Sequence, residues 1–249
     1  MIQEVNSGDI IVMTHHMTHL VAGGTKGIGR ALVESLILNE HDVHSIGREI
    51  PADRNSEVNW ILADLEKPYG FKDALPESID CLTFCPGVIK LGNIKRLTEQ
   101  DLQETFQRNV VDAFKLTQEL LPLLKNEKPA SIVYLSSVAA QVGLPNHCAI
   151  AAAKAGLEGF ALSLAADLAP RVRVNVVAPT LTTTENGLKI VGGSQFIEML
   201  ENRHALKKIP SPEEVAATIA FLHSIEASSI TGQVITVDAG MARIKHHEK

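Results

Sequence analysis

The chain has 249 residues, 45% of them hydrophobic and 21% charged, a balance that supports a sizeable buried core and excludes a disordered chain. A formal net charge of −6, with few aromatics and no basic block, argues against a nucleic-acid surface. No apolar run is read as reaching membrane-spanning length, and the N-terminus lacks a basic region followed by an apolar core and a cleavage site, so no membrane is expected as a partner.

Residues 1–16 precede the regular pattern and read as an N-terminal extension; 17–249 read as one domain. His15, His16 and His19 are taken as histidines of a mobile terminus, since no carboxylate or cysteine completes a metal-binding set, and His246 and His247 lie in a charged tail. From Thr18 onward short β-branched runs alternate with helical patterns. Strands are predicted at His19–Ala22, Val43–Ile46, Trp60–Ala63, Cys81–Phe84, Ile132–Leu135, Arg173–Val177 and Val234–Val237. Helices are predicted at Gly29–Leu38, Thr98–Leu124, Ala149–Leu168 and Pro212–His223, the last with Ser211 as its cap and proline in its first turn. Without hairpin signals this order predicts an α/β fold, doubly wound, with a mostly parallel sheet of about seven strands. Pro179–Pro210 interrupts the rhythm, with a short helical pattern at Gln195–Asn202. Its position after a strand's carboxyl end predicts a lid over a site. Cys81, Cys85 and Cys148 are odd in number and without metal spacing, which indicates reduced thiols and a cytoplasmic setting. Cys81 and Cys85, flanking an apolar strand, read as core filler.

Two segments carry chemistry. Val21-Ala22-Gly23-Gly24-Thr25-Lys26-Gly27-Ile28-Gly29 joins the first strand to the first helix. Glycines at 23, 27 and 29 allow a tight turn, close approach of the backbone to a pyrophosphate and helix packing, while the helix N-terminus offers free N–H groups to the anion. The second segment runs from Ser136-Ser137-Val138 to Ala151-Ala152-Ala153-Lys154. Together these resemble the short-chain dehydrogenase/reductase family over nearly all of residues 18–241. The resemblance extends to Ile79-Asp80-Cys81-Leu82, Asn109, Pro179, Thr184, Thr231-Gly232-Gln233 and Val237-Asp238-Ala239-Gly240.

That resemblance implies a nicotinamide cofactor held by Gly23, Thr25, Lys26, Gly27, Ile28, Gly29, Asp64, Leu65, Gly87, Lys154, Pro179 and Thr184, with Asp64 at the adenine. It implies catalytic roles for Ser137 and Lys154, and for Asn109 a link from the lysine to a water chain. It also implies a small-molecule substrate and a homodimer or homotetramer formed through the helices near Phe106–Leu124 and Ala151–Leu168. At the end of the second strand Gly47 stands where an acid would repel a 2′-phosphate, and Arg48 follows it. With Lys26 this favours NADP(H), although Glu49 can offset part of the Arg48 charge.

Four departures from the family pattern fall where its chemistry is done. Ile150 replaces the tyrosine of Tyr-x-x-x-Lys, Phe84-Cys85-Pro86-Gly87 replaces Asn-Asn-Ala-Gly, Thr180 replaces the glycine after Pro179, and Ala239 replaces a later glycine. Against that pattern Pro86 lacks a backbone donor and Phe84 lacks polar side-chain contacts, which is expected to alter the cofactor's ribose side. An aliphatic side chain cannot give a proton, so another donor is needed. His147, seven residues before Lys154, is the first candidate and Cys148 the weaker one, set against the reading of His147 as an ordinary loop residue. Three readings follow: a reductase of carbonyls or activated alkenes with a non-standard donor, a non-catalytic NADP(H)-binding protein, or a scaffold subunit beside an active relative. Retained Lys26, Arg48 and Lys154 weigh against the third.

Overall fold

The computed structural model describes residues 16–67, 71–124, 130–190 and 196–244. The extension 1–15, Tyr69, Gly192, Gly193, Gln195, His246 and His247 lie outside the described residues. Seven strands form one sheet: β1 (Thr18–Ala22), β2 (Asp42–Gly47), β3 (Val58–Leu62), β4 (Cys81–Phe84), β5 (Ala130–Leu135), β6 (Val172–Pro179) and β7 (Val234–Val237). Their order is β3-β2-β1-β4-β5-β6-β7, and every pairing is parallel. All seven predicted strands are present, two with the expected ends (Cys81–Phe84 and Val234–Val237) and the others with ends shifted by at most two residues.

Parallel strands need crossovers, and the helices supply them on both faces. On one face α1 (Gly27–Leu38) and α7 (Pro212–His223) bury Leu32, Val33, Leu36, Val215, Ile219 and Leu222 against Val21, Val43, Val133 and Val177. The opposite face packs α3 (Asp112–Leu120) and α4 (Cys148–Leu168) through Leu116, Leu120, Leu157 and Ala161 onto Leu20, Leu82, Phe84, Ile132, Tyr134 and Val176. The alternation Leu20, Val21, Ala22 between the two cores is the two-residue period of a strand covered on both sides.

The expected single helix over 98–124 is divided. Thr98 caps α2 (Glu99–Phe106), Gln107–Val111 form a π-turn, and α3 follows. The Asn109 side-chain amide donates to Thr105 O at 2.8 Å, the carbonyl that its own backbone would bond in an α-helix, and to Val88 O at 2.9 Å. A side chain inserted into the ladder widens that turn, and such turns gather at functional sites.

Two further expectations change. By length and composition α4 is long and apolar enough to cross a membrane, contrary to the reading of the sequence, yet here it lies on β6 with Ala153, Leu157, Ala161 and Ala165 buried. His19 belongs to no mobile terminus; it is fully buried in β1.

After β7 the chain turns sharply, with the Asp238 carboxylate accepting from Gly240 N and Ala242 N. Ala239 sits in this turn at φ +48°, a left-handed conformation that strains an L side chain. Ala239→Gly should therefore stabilise the protein by about 1 kcal/mol, a rise of roughly 2–4 °C in Tm, read by calorimetry.

Candidate active site

The strand order reverses between β1 and β4, and an open crevice lies beyond the strand ends there. A cleft of about 880 Å³ runs from the glycine loop to the ends of β2 and β3, and a cavity of about 500 Å³ lies beside it, over the ends of β5 and β6. Ile28, Cys85, Gly87, Leu135 and Thr184 border both, so the two spaces join.

The cleft takes the predicted cofactor residues Gly23, Thr25, Lys26, Gly27, Ile28, Gly29, Arg48, Asp64, Leu65, Gly87 and Thr184. Gly23 and Gly27 adopt φ +79° and +55°, conformations that favour glycine. At the start of α1 no side chain caps the helix, so its first N–H groups are left for an anion. Lys26 and Glu49 form an ion pair at 2.5 Å, both more than half exposed. Glu49 thus offsets Lys26 first, and the Arg48 charge also acts on it more weakly; Arg48 is exposed and has no ion pair among the described residues. Asp64 borders the cleft while its Oδ1 accepts from Glu66 N at 3.1 Å.

The cavity gathers Ser137, Lys154, Asn109, His147, Ile150 and Pro179. Lys154 is held by α4 with its Nζ donating to Leu135 O at 2.7 Å. Burial pushes its ammonium down to about 8, with Cys85 and Glu158 acting in the opposite sense. Asn109 Oδ1 is buried without a hydrogen-bond partner among the described residues, and Gly87 leaves room for it: a Cβ there would come within 2.5 Å of that oxygen and 3.4 Å of Lys154 Nζ. Ser137 caps a short 3-10 turn, its Oγ accepting from Ala139 N at 3.2 Å. Neighbouring Ser136 instead donates to Glu158 Oε1 at 2.7 Å.

Ile150 is 2% exposed and forms part of the cavity wall one turn before Lys154. The described lining contains no tyrosine. Tyr134 is sealed in the core on Thr117 Oγ1 at 2.6 Å, and burial raises its phenol far above the ordinary value. His147 lies at the rim, donating from Nδ1 to Pro145 O at 2.6 Å, and Nε2 has no hydrogen bond among the described residues. Cys148 is exposed and borders neither space, because the first turn of α4 carries it away from the cavity.

Two expectations for the β4 end need correction. Phe84 does not face the cofactor side; it packs in the core against Tyr134, following Leu82 and Leu20 on the same side of the sheet. Cys85 is not core filler but borders both spaces, its thiol pushed up by burial to about 12 despite the Lys154 charge. Pro86 stands over Gly23, 3.2 Å from where a Cβ would lie.

The irregular segment after β6 forms the wall facing Lys154. It holds α5 (Glu185–Ile190) and α6 (Ile197–Glu201), and Thr180, Leu181, Thr182, Leu200 and His204 line the cavity. His204 is 3% exposed, with Nδ1 donating to Leu200 O at 2.8 Å and Nε2 at 3.2 Å from Thr180 Oγ1. Nothing local in the sequence marks this histidine, since it stands just past the short helical pattern expected over 195–202, which the structure has as α6, among irregular loop residues.

A family model described as Enoyl-(Acyl carrier protein) reductase matches residues 70–242. A 3-oxoacyl-(acyl-carrier-protein) reductase of Aquifex aeolicus is 31% identical, over 89% of this chain and 96% of the relative. A tropinone reductase homolog of Arabidopsis thaliana is 32% identical, over 90% of each. Among solved structures, the ligand-free aldohexose dehydrogenase of Thermoplasma acidophilum superposes with a TM-score of 0.84 at 27% identity, over 94% of this chain and 98% of that one.

Proposed function

The chain belongs to the short-chain dehydrogenase/reductase family of oxidoreductases, and on that premise we propose that it is an NADP(H)-dependent reductase of a small carbonyl compound or activated alkene. The observation that carries this reading is the convergence of Lys154, Ser137 and Asn109 on a largely apolar cavity that opens into the glycine-loop cleft. The residues present fit the cofactor. Gly23, Gly27 and the bare N-terminus of α1 suit a pyrophosphate, unpaired Arg48 suits a 2′-phosphate, and Lys154 suits a ribose. When bound, the reduced cofactor supplies the hydride. The chain supplies Ser137 to polarise the substrate oxygen, Lys154 as a buried cation, and an imidazole as the proton source in place of a phenol; His147 and His204 both border the cavity.

The non-catalytic NADP(H)-binding reading draws on Ile150 alone, and turnover of NADPH by any carbonyl would remove it. Exposed Phe106, Phe114 and Leu162 on the α2, α3 and α4 surface support a homo-oligomer, and the three free thiols support a reducing, cytoplasmic setting.

Paired titrations with NADPH and NADH, followed by nicotinamide fluorescence and thermal shift, test the cofactor. NADPH should bind about tenfold more tightly or better, the worth of one charge-assisted phosphate contact. Glu49→Gln should release Lys26 and tighten NADPH by about threefold while leaving NADH alone, a small change because the pair is exposed. Equal affinities would remove the preference, and binding of neither cofactor would remove the reductase reading.

A further inference from the structure

We infer that Thr180, backed by His204, delivers the proton to the substrate oxygen in place of the tyrosine that position 150 lacks. The inference rests on the reductase reading and names the group that completes it.

Thr180 stands directly after Pro179 at the carboxyl end of β6, its backbone tied to the sheet by Thr180 N donating to Val237 O at 3.2 Å. The same loop reaches the glycine loop through Thr184, whose Cγ2 lies 3.2 Å from where a Cβ on Gly27 would be. Thr180 is therefore fixed on the cavity wall, in the loop whose Thr184 borders both cavity and cofactor cleft. Behind it, His204 is buried and held at both nitrogens. Because a carbonyl can only accept, Nδ1 carries a hydrogen for Leu200 O, and Nε2 is the nitrogen that addresses Thr180 Oγ1. Thr180 Oγ1 also lies 3.1 Å from Met241 Sδ. A thioether is a weak acceptor, so with His204 protonated the threonine hydrogen rests on a partner that a substrate oxygen readily outcompetes. His147 has no such arrangement; it sits at the rim with one nitrogen on Pro145 O.

The proton balance closes. The substrate carbon receives hydride with its electron pair, and the negative charge develops on the substrate oxygen. The Thr180 Oγ1–H bond breaks and its proton passes to that oxygen. The His204 Nε2–H bond breaks and its proton passes to Thr180 Oγ1. His204 is left neutral, still donating from Nδ1 to Leu200 O, and regains a proton from water between turnovers. Thr180 is the catalytic residue of this pair; His204 acts through it as the proton store.

The experiment uses the full chain with NADPH and ethyl acetoacetate as probe, comparing wild type, Thr180→Val, Thr180→Ser, His204→Gln, Ile150→Tyr and the double variant T180V/I150Y. NADPH binding by fluorescence, retained in each, reports an intact fold. The expected results are a loss of turnover of about two orders of magnitude in T180V and H204Q and near wild-type turnover in T180S. Recovery in the double variant is also expected, where a phenol supplies the proton. A substrate-free readout accompanies these: by nitrogen NMR the His204 Nε2 resonance should move in T180V, where its hydroxyl partner is gone. Undiminished turnover in T180V, or loss in His147→Ala with T180V unaffected, overturns the proposal. Turnover in I150Y but not in wild type overturns it too, while upholding the reductase site. Turnover in neither, with NADPH bound, overturns the reductase reading itself.

Discussion

A single methyl group at position 29 is expected to weaken NADPH binding by about 100-fold or more and to destabilise the fold by about 1–3 kcal/mol. Gly29 lies in the first turn of α1, and a Cβ built there falls well inside contact distance of the Gly23 carbonyl oxygen. It would lie 2.9 Å from the carbonyl carbon and 3.1 Å from Gly24 Cα. Every one of these atoms is backbone, so no rotamer change relieves the overlap. Nor can the loop retreat: Gly23 N is bonded to Ile46 O at 2.8 Å, and Pro86 stands close on its other side. Gly29→Ala must push α1 away from the loop, which removes the N–H groups that a pyrophosphate would use. Gly143, with nothing within 4 Å of its Cβ position, is the control, and Gly143→Ala should bind NADPH as wild type does. Fluorescence titration and urea denaturation of the two variants decide the matter. Wild-type affinity in Gly29→Ala would show that the loop does not seat the pyrophosphate.

That glycine loop was legible in the sequence because its requirement is local: glycines at 23, 27 and 29 where a short apolar strand gives way to a helix. The strands were legible for a similar reason, since a sheet covered on both faces writes continuous apolar runs. The orientation of Phe84 was equally available from the two-residue period it shares with Leu82, yet comparison with the family's polar residue there pointed it at the cofactor. The π-turn at 107–111 was not legible. Its apolar spacing reads as one helix, and the extra residue arises from where the Asn109 amide finds its acceptors, one of them Val88 O across the fold. Thr180 was visible only as a lost glycine. Its meaning as a hydroxyl depends on His204, brought to it by the irregular residues that follow the short helix α6. The proposed cofactor side of the site thus follows from local spacing, while the proposed acid–base side depends on contacts between distant residues.

Burial of histidine at the opposite, amino-terminal end of the sheet sets the last expectation: the protein should lose about 4 kcal/mol of stability between pH 7.5 and 5.0. His19 is 1% exposed, with neither ring nitrogen hydrogen-bonded among the described residues, and its ring lies 4.8 Å from that of His41 and 5.5 Å from that of His223. His223 spans Thr83 Oγ1 at 2.8 Å and Ser131 Oγ at 3.1 Å. Burial first, then the Arg173 charge and His41, brings His223 down to about 3; burial and then His223, His41 and His16 hold His19 well below the ordinary imidazole value. Both are therefore neutral in the fold while the unfolded chain binds protons near pH 6.5, so stability is complete above that value and falls as the pH drops toward the folded values. At 1.5 units below 6.5 each such histidine costs about 2 kcal/mol. Urea titrations at the two pH values measure the drop. In His19→Leu, which removes a buried imidazole that makes no hydrogen bond, the drop should shrink by about half. An unchanged dependence in that variant would assign the acid sensitivity to groups other than His19.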